Sequence, residues 1–437
     1  MSQTPPMLKR ELGVFGATMM GLGSILGTGV FVSIGIASGV AGPAVILAIG
    51  LAALVALCNG LNSAQLAANH AVSGGTYEYG YTYLNSWFGF TAGWTFLLAK
   101  TASAATAALG FGGYLLNLLG IDTREYLIPL GLAAVIVLTL IVLSGLRRSN
   151  ITNILIVSVT MIALALFVIG GLPKLVAAGT KNLTPFFNPD GNPIANLLQA
   201  TALMFVAYTG YGRIATIGEE VCDPSRVIPR AIIAAMLVTM VIYMSVAIIG
   251  VSAVGTDVLA GTTQTQAAPL EVAARQFDIP FIAQVVAVGA ITAMLGVLLN
   301  LILGLSRVLL AMGRRRDMPT VTARINTNNS TPYVAVVIIG VGIAALVLIG
   351  NVKTTWSFSA FTVLIYYAIT NLAALQLKAN ERLYPKWLGW VGLAACLFLA
   401  FWVDVQIWLI GLGMIVLGLI WHAVAQRVNG KSQKVSA

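Results

Sequence analysis

The sequence predicts an all-α integral membrane protein with twelve transmembrane helices. Ten are expected to form a five-plus-five inverted repeat in which helices 1 and 6 are broken, and two further helices follow at the C-terminal end. Three observations carry this expectation. Of 437 residues, 58% are hydrophobic and only 9% charged, more apolar surface than a water-soluble domain can hide, so lipid is the solvent for most of the chain. Apolar runs of about 18 residues or more recur twelve times. The first and sixth of these runs are interrupted by glycine near their middle, at corresponding places in the two halves of such a repeat.

In chain order the runs cover residues 14–38, 43–68, 88–118, 127–145, 151–173, 194–218, 229–255, 280–312, 333–350, 355–377, 387–403 and 405–425. The chain reads as one polytopic domain, with repeat 1 over about 14–173, repeat 2 over about 194–377 and helices 11 and 12 over about 387–425. The first run is too long for a signal-peptide core and reads as a retained helix. The polar stretch around 255–278 contains Ala268 to Ala274, which reads as a small amphipathic helix on the outer surface. Tyr77, Tyr79, Tyr81 and Tyr83, after Ser73-Gly74-Gly75, read as an interfacial aromatic belt.

An even number of spans puts both termini on one side. Loops on that side carry Lys9, Arg10, Arg147, Arg148, Arg226, Arg230, the run Arg314 to Arg316, Arg324 and further basic residues as far as Lys434. The opposite loops carry only Arg124, Lys174, Lys181, Arg275 and Lys353. Basic residues accumulate on the cytoplasmic side, so both termini are expected there, in the cytoplasmic (inner) membrane. The same scatter over short loops, rather than over one face, argues against nucleic acid as the partner of the net charge of +10. Cys58, Cys222 and Cys396 lie far apart without metal-ligand spacing, so neither disulfides nor a metal is expected.

Span 1 reads Gly21-Leu22-Gly23-Ser24-Ile25-Leu26-Gly27-Thr28-Gly29. Unsatisfied main-chain groups cost several kcal/mol in hydrocarbon, so helix-weakening sequence persists there only against protein or a cavity. The plain alternative is close helix packing through small residues. Span 6 repeats the pattern in Phe205-Val206-Ala207-Tyr208-Thr209-Gly210-Tyr211-Gly212, and the pairing favours two breaks over coincidence. Amides near Gly27, Thr28 and Gly29, at the start of a helix segment, suit a carboxylate. Carbonyls at the ends of the preceding segments suit an ammonium. Together they describe a site for the zwitterion of an α-amino acid.

At this point the chain resembles the amino acid–polyamine–organocation transporters, which share a LeuT-like inverted-repeat fold. The resemblance rests on Gly27-Thr28-Gly29-Val30-Phe31, Ser73-Gly74-Gly75-Thr76-Tyr77, Gly93-Trp94, Ala207-Tyr208-Thr209-Gly210-Tyr211, Gly218-Glu219-Glu220-Val221 with Asp223-Pro224-Ser225-Arg226, and Asp317-Met318-Pro319. It covers spans 1 to 10; spans 11 and 12 match in length and hydropathy alone. It implies that the Thr28 and Gly29 amides hold the substrate carboxylate, and that carbonyls at Ile25 and near Val206 and Thr209 hold the amine. Gly27, Ala207 and Gly210 complete the substrate-binding set. Phe205 stands one residue before the aromatic gate of many relatives and is a candidate both for substrate contact and for gating. Tyr208, Arg213, Glu219 and Glu220 are further gating candidates.

Departures from the family pattern narrow the reading. Where many relatives carry an acidic residue after the span 6 break, this chain has Gly212, which favours a neutral substrate over a polyamine or cationic amino acid. Span 5 lacks the lysine of some relatives around Leu155 to Thr160, and Gly296-Val297 offer no hydroxyl pair for sodium. The function implied is a secondary transporter of a neutral L-amino acid, working by alternating access and coupled to protons or to exchange rather than to sodium. It needs no resident cofactor, and its partners are a small-molecule amino acid and the bilayer.

Lys100 is the one isolated charge at membrane depth. It stands about 11 residues into span 3, roughly 16 Å at 1.5 Å per residue, where a lone cation costs at least ~2.5 kcal/mol and is expected to face the bundle interior. Either it is tied to carbonyls for structural reasons, or it replaces the missing span 5 lysine beside the break in span 1 and carries the coupling proton. His70 and His422 read as ordinary residues near span ends. Arg213 reads as a structural pair or as part of the inner vestibule. A channel would need polar rings along a continuous path, and a membrane enzyme a nucleophile with its base or a metal cluster; the sequence offers neither.

Overall fold

The computed structural model describes residues 12–70, 74–121, 123–145, 150–216, 221–326 and 331–435. Among these residues the chain is helical, with no strand beyond an isolated bridge between Leu12 and Val221. The first run is divided into α1 (Val14–Ile25), α2 (Thr28–Phe31) and α3 (Ser33–Ala41). Helix α4 (Val45–Asn69) leads through the short α5 (Thr76–Tyr83) to α6 (Ser86–Leu118), then α7 (Leu127–Leu143) and α8 (Asn150–Ala178). The sixth run is α9 (Pro193–Tyr208), a 3-10 turn at Thr209–Tyr211 and α10 (Gly212–Thr216). Helices α11 (Pro224–Val254), α12 (Thr256–Thr265), α13 (Pro269–Arg275), α14 (Ile282–Arg314), α15 (Tyr333–Val347), α16 (Val352–Ala374), α17 (Trp387–Ala400) and α18 (Val405–Val435) complete the chain.

Local chemistry places these boundaries. Asn85, Asn192 and Asn351 each precede a helix and accept two of its first amides through the side-chain carbonyl, starting α6, α9 and α16. Gly255, with φ of 78°, ends α11 in a conformation that a side chain disfavours. Among the described residues, six helical stretches, Thr28–Asn69, Ile151–Ala178, Pro224–Val254, Ile282–Arg314, Val352–Ala374 and Val405–Val428, are long and apolar enough to cross a bilayer by length and composition. Their outward faces stay apolar, as Leu155, Ile162, Ile169, Val241, Leu417 and Ile420 illustrate, so the bundle is apolar outside as well as inside.

Helix α6 is the axis, packed against α14 and α16 along most of its length and against α7, α5 and α18 elsewhere. Polar side chains join helices that hydrophobic contact alone does not hold in register. Asn62 on α4 donates to Asn371 on α16 (2.7 Å), Asn371 donates to Asn59 on α4, Gln65 donates to Asn62 (2.9 Å), and the Cys396 thiol on α17 reaches Asn59 (3.3 Å). Every member of this ladder is at most 4% exposed. Removing one leaves the others with unmet hydrogen bonds at about 1–3 kcal/mol each. Asn371→Leu is therefore expected to lower the melting temperature of the purified protein by several degrees, read by intrinsic fluorescence; an unchanged melting curve would contradict a structural role for the ladder.

Three expectations are corrected. Tyr77 and Tyr79 are buried at 1% exposure and form no interfacial belt. The Tyr77 and Tyr81 hydroxyls instead donate to the Asp317 carboxylate (2.6 and 2.7 Å), because α5 folds inward beneath α6. The segment from 268 to 274 is not a surface amphipathic helix: α13 buries Pro269, Leu270, Glu271, Ala273 and Ala274 between α12 and α14. His422 is not an interfacial residue either, since its ring stacks on Phe90 (4.4 Å) at 1% exposure, with Nδ1 3.4 Å from Asp317.

Candidate functional site

The two interrupted helices meet at their interruptions. Leu26 leaves α1 in an extended conformation and Gly27 is extended as well, so helical bonding restarts only when Val30 and Phe31 donate to the Gly27 carbonyl (both 3.1 Å). The Thr28 and Gly29 amides precede that restart. The Thr28 hydroxyl is buried without a hydrogen-bond partner. The sixth run differs from expectation: its helix is not lost but tightened into one 3-10 turn, in which the Thr209 amide and hydroxyl both turn back to the Val206 carbonyl.

Close backbone approach explains the glycines. A Cβ on Gly210 would fall on the Ser24 carbonyl and 2.6 Å from the Ile25 amide nitrogen, and one on Gly29 would lie 2.7 Å from the Tyr243 hydroxyl and 2.8 Å from Ala207. Tyr243 on α11 donates its single hydroxyl proton between the Ile25 carbonyl (2.9 Å) and the Ala207 carbonyl (3.2 Å). Tyr367 on α16 donates to the Thr209 carbonyl (3.1 Å). Of the carbonyls expected to receive an amine, Val206 already accepts from the Thr209 amide and hydroxyl, and Thr209 from the Gly212 amide and the Tyr367 hydroxyl, whereas the Ile25 carbonyl, which accepts from Tyr243, keeps one lone pair for a second donor.

Between the interruptions lies a small cavity of about 40 Å³ lined by Ser24, Ile25, Thr28, Gly29, Lys100, Ser103, Val206, Ala207, Thr209, Gly210, Val297, Leu301 and Trp356. Lys100, 9% exposed, projects from α6 and donates to the Thr209 hydroxyl (2.7 Å). Its partner is therefore in the sixth run rather than the first. No ion pair among the described residues includes it. Ser103, one turn further along α6, shares a hydrogen with Ser359 (2.7 Å). Trp356 lines the cavity, with its indole nitrogen donating to the Leu203 carbonyl (2.9 Å). Val297 and Leu301 on α14 line it as well. The α8 side chain that reaches α1 is Asn153, donating to the Met19 carbonyl (2.9 Å).

Of the residues singled out from sequence, Ile25, Thr28, Gly29, Val206, Ala207, Thr209, Gly210 and Lys100 line one cavity, and Gly27 stands immediately beside them in the extended link. Phe205 does not face it: the ring is fully buried against Tyr367 at 5.7 Å, because its helical position points toward α16. The aromatic wall is Trp356. Tyr208 also points away, with its hydroxyl on the Ile49 carbonyl (3.3 Å). Arg213 lies in α10, beyond the cavity lining. Glu219 and Glu220 lie outside the described residues. Sequence reading missed Tyr243, Ser103 and Trp356; their one local signal is a polar or aromatic side chain inside an apolar run, which does not say where it points.

A sequence model of the family described as amino acid permease matches residues 16–436. An uncharacterized transporter of Mycobacterium bovis is 36% identical over 433 residues, covering 99% of this chain and 95% of that protein. A branched-chain amino acid permease of Bacillus subtilis is 26% identical over 455 residues, covering 97% and 94%. A methylthioribose transporter of the same organism is 29% identical over 401 residues, covering 86% and 84%.

Proposed function

Because this chain belongs to the amino acid permease family, we propose that it is a secondary transporter carrying a neutral L-amino acid across the cytoplasmic membrane by alternating access. The observation that carries the reading is the cavity between two adjoining helix interruptions, lined by the helix start at Thr28 and Gly29, the partnerless Thr28 hydroxyl and the Ile25 main chain. Amides at a helix start receive a carboxylate; the second lone pair of the Ile25 carbonyl receives the ammonium. Val206, Val297, Leu301 and Trp356 leave an apolar, confined space for the side chain. No described acidic residue lines the cavity to receive a second positive charge, which supports a neutral substrate over a polyamine or a cationic amino acid. The branched-chain permease among the relatives fits this lining; the methylthioribose transporter marks that family membership leaves the substrate open.

In this reading the chain crosses the membrane twelve times, with α1–α8 and α9–α16 as inverted halves and both termini cytoplasmic. Trp356 then roofs the cavity on the outer side and Leu301 lies toward the inside. Lys100 carries the coupling proton or steadies the Thr209 turn during exchange; a proton or exchange is preferred to sodium because Gly296 and Val297 carry no hydroxyl pair.

The experiment is a thermal-shift screen of the purified protein against single amino acids, followed by counterflow in liposomes. A ligand at 100 times its Kd stabilises by about 2.7 kcal/mol, so a neutral, apolar amino acid is expected to raise the melting temperature by several degrees and to exchange across the vesicle membrane. Stabilisation by arginine or a polyamine alone, or saturable binding without counterflow, would overturn the proposal.

A further inference from the structure

A buried carboxylate lies outside the cavity, at the opposite end of the bundle from the chain termini. Glu271 on α13 is 2% exposed. Its Oε1 accepts from Arg275 (3.0 Å), while its Oε2 is buried without a partner. Arg275 is half-exposed and also donates to the Asn117 carbonyl (3.0 Å). An unmet carboxylate oxygen in a dry site is costly when charged and cheap when protonated.

Glu271 is joined to the first interrupted helix by its neighbour. The Leu270 amide donates to the Tyr114 hydroxyl (3.2 Å), and that hydroxyl donates to the Phe31 carbonyl at the end of α2 (2.7 Å). Two residues before Phe31 is Gly29, on the cavity wall. Helices α12 and α13 together cover α3 and the adjoining end of α14. How firmly α13 is seated therefore decides whether the far side of helix 1 is free to move.

We propose that Glu271 is a proton-binding positioning residue of an outer lid: protonated, it seats α13 on helix 1, and ionised, it drives α13 toward water and releases that end of the cavity. The proposal rests on the transport reading above and supplies it with a proton site separate from Lys100. The proton comes from external water. Asn117, which accepts from Arg275, also lines a cavity of about 190 Å³ with Arg124, Thr265 and Gln266, which brings water up to the partner of that ion pair. Burial lifts the Glu271 carboxyl from the ordinary carboxylate range to about 7, against the opposing pull of the Arg275 guanidinium.

The surroundings contain few competing charges among the described residues. Tyr114 faces Glu271 from α6 and Arg275 from its own helix. Asp257, the charged residue of α12, is exposed, and Lys174 of α8 is paired with Asp278 (2.6 Å). The charged residues of α11 and α14 (Arg226, Arg230, Arg307 and Arg314) sit at the far ends of those helices.

The sign follows from linkage. A carboxyl raised on folding binds its proton in the native state when the unfolded chain has lost it, so stability falls as pH rises from about 4.5 to about 7 and levels off above. Glu271→Gln keeps the protonated shape at all pH. Its melting temperature is expected to pull ahead of the parent protein's, by several degrees, as pH rises from 5 to 8, while Glu271→Asp retains the parent's pH trend. In counterflow, Glu271→Gln is expected to lose most of the parent's dependence on external pH. A Glu271→Gln gap that stays constant with pH, with an unchanged transport profile, would overturn the proposal. Melting needs no substrate: failure of every neutral amino acid to bind would sink the transport reading alone, and a constant gap alongside normal binding would sink this one alone.

Discussion

Gly210→Ala is expected to reduce counterflow at least tenfold, equivalent to about 1.4 kcal/mol, and to be among the most damaging single-carbon changes in the protein. The added methyl has no room to relax into, because it meets main chain: the Ser24 carbonyl and the Ile25 amide nitrogen. Side chains can rotate away from an extra carbon, but the backbone of an interrupted helix moves only by displacing the groups that line the cavity. Overpacking of this kind costs about 1–3 kcal/mol, so a lower melting temperature is expected together with the transport loss. Gly261→Ala is the control, since a Cβ there meets nothing within contact distance. Equal activity of the two variants, measured in the same liposomes, would contradict the view that the interruptions form the site.

Lys100→Met is expected to separate transport from stability. A lone ammonium deep in an apolar bundle is a cost to folding of at least ~2.5 kcal/mol, and Lys100 recovers part of it through one bond to Thr209 (2.7 Å). If the residue served only to hold helices together, its removal would lower the melting temperature and slow transport in proportion. If it serves the transport cycle, methionine of similar length should leave the melting temperature equal or higher while counterflow falls at least tenfold and loses its response to pH. The result that sinks the functional role is a variant with parental transport across pH. Glu271→Gln and Lys100→Met act at distant places, and their effects on the pH profile can be compared directly.

The legible part of this protein was the part written locally. Composition and apolar runs marked the chain as a helical membrane protein, and glycine in the middle of two of those runs marked where regularity gives way, because glycine weakens a helix whatever lies around it. Lys100 was legible for a similar reason: a charge in an apolar run must face inward. Convergence from distant runs was not legible. Tyr243 reaches two carbonyls in two other helices, and Asp317 gathers Tyr77 and Tyr81 from α5 and His422 from α18. Nothing in the spacing of those residues distinguishes a tyrosine at a lipid interface from one folded inward. Phe205 shows the finest limit, since a shift of one residue along a helix turns a side chain by about 100° and gives the cavity wall to Trp356 instead. The tightened turn at Thr209–Tyr211 was overestimated as a full break because glycine permits either outcome.

The isolated bridge near the chain's start has a consequence of its own. Leu12 pairs with Val221, and the Cys222 amide donates to the Leu12 carbonyl (3.2 Å), so the starts of α1 and α11 are anchored to one shared footing. While that link holds, α1 and α11 share a hinge at their starts, and Tyr243 on α11 stays in step with the Ile25 carbonyl that it bonds on α1.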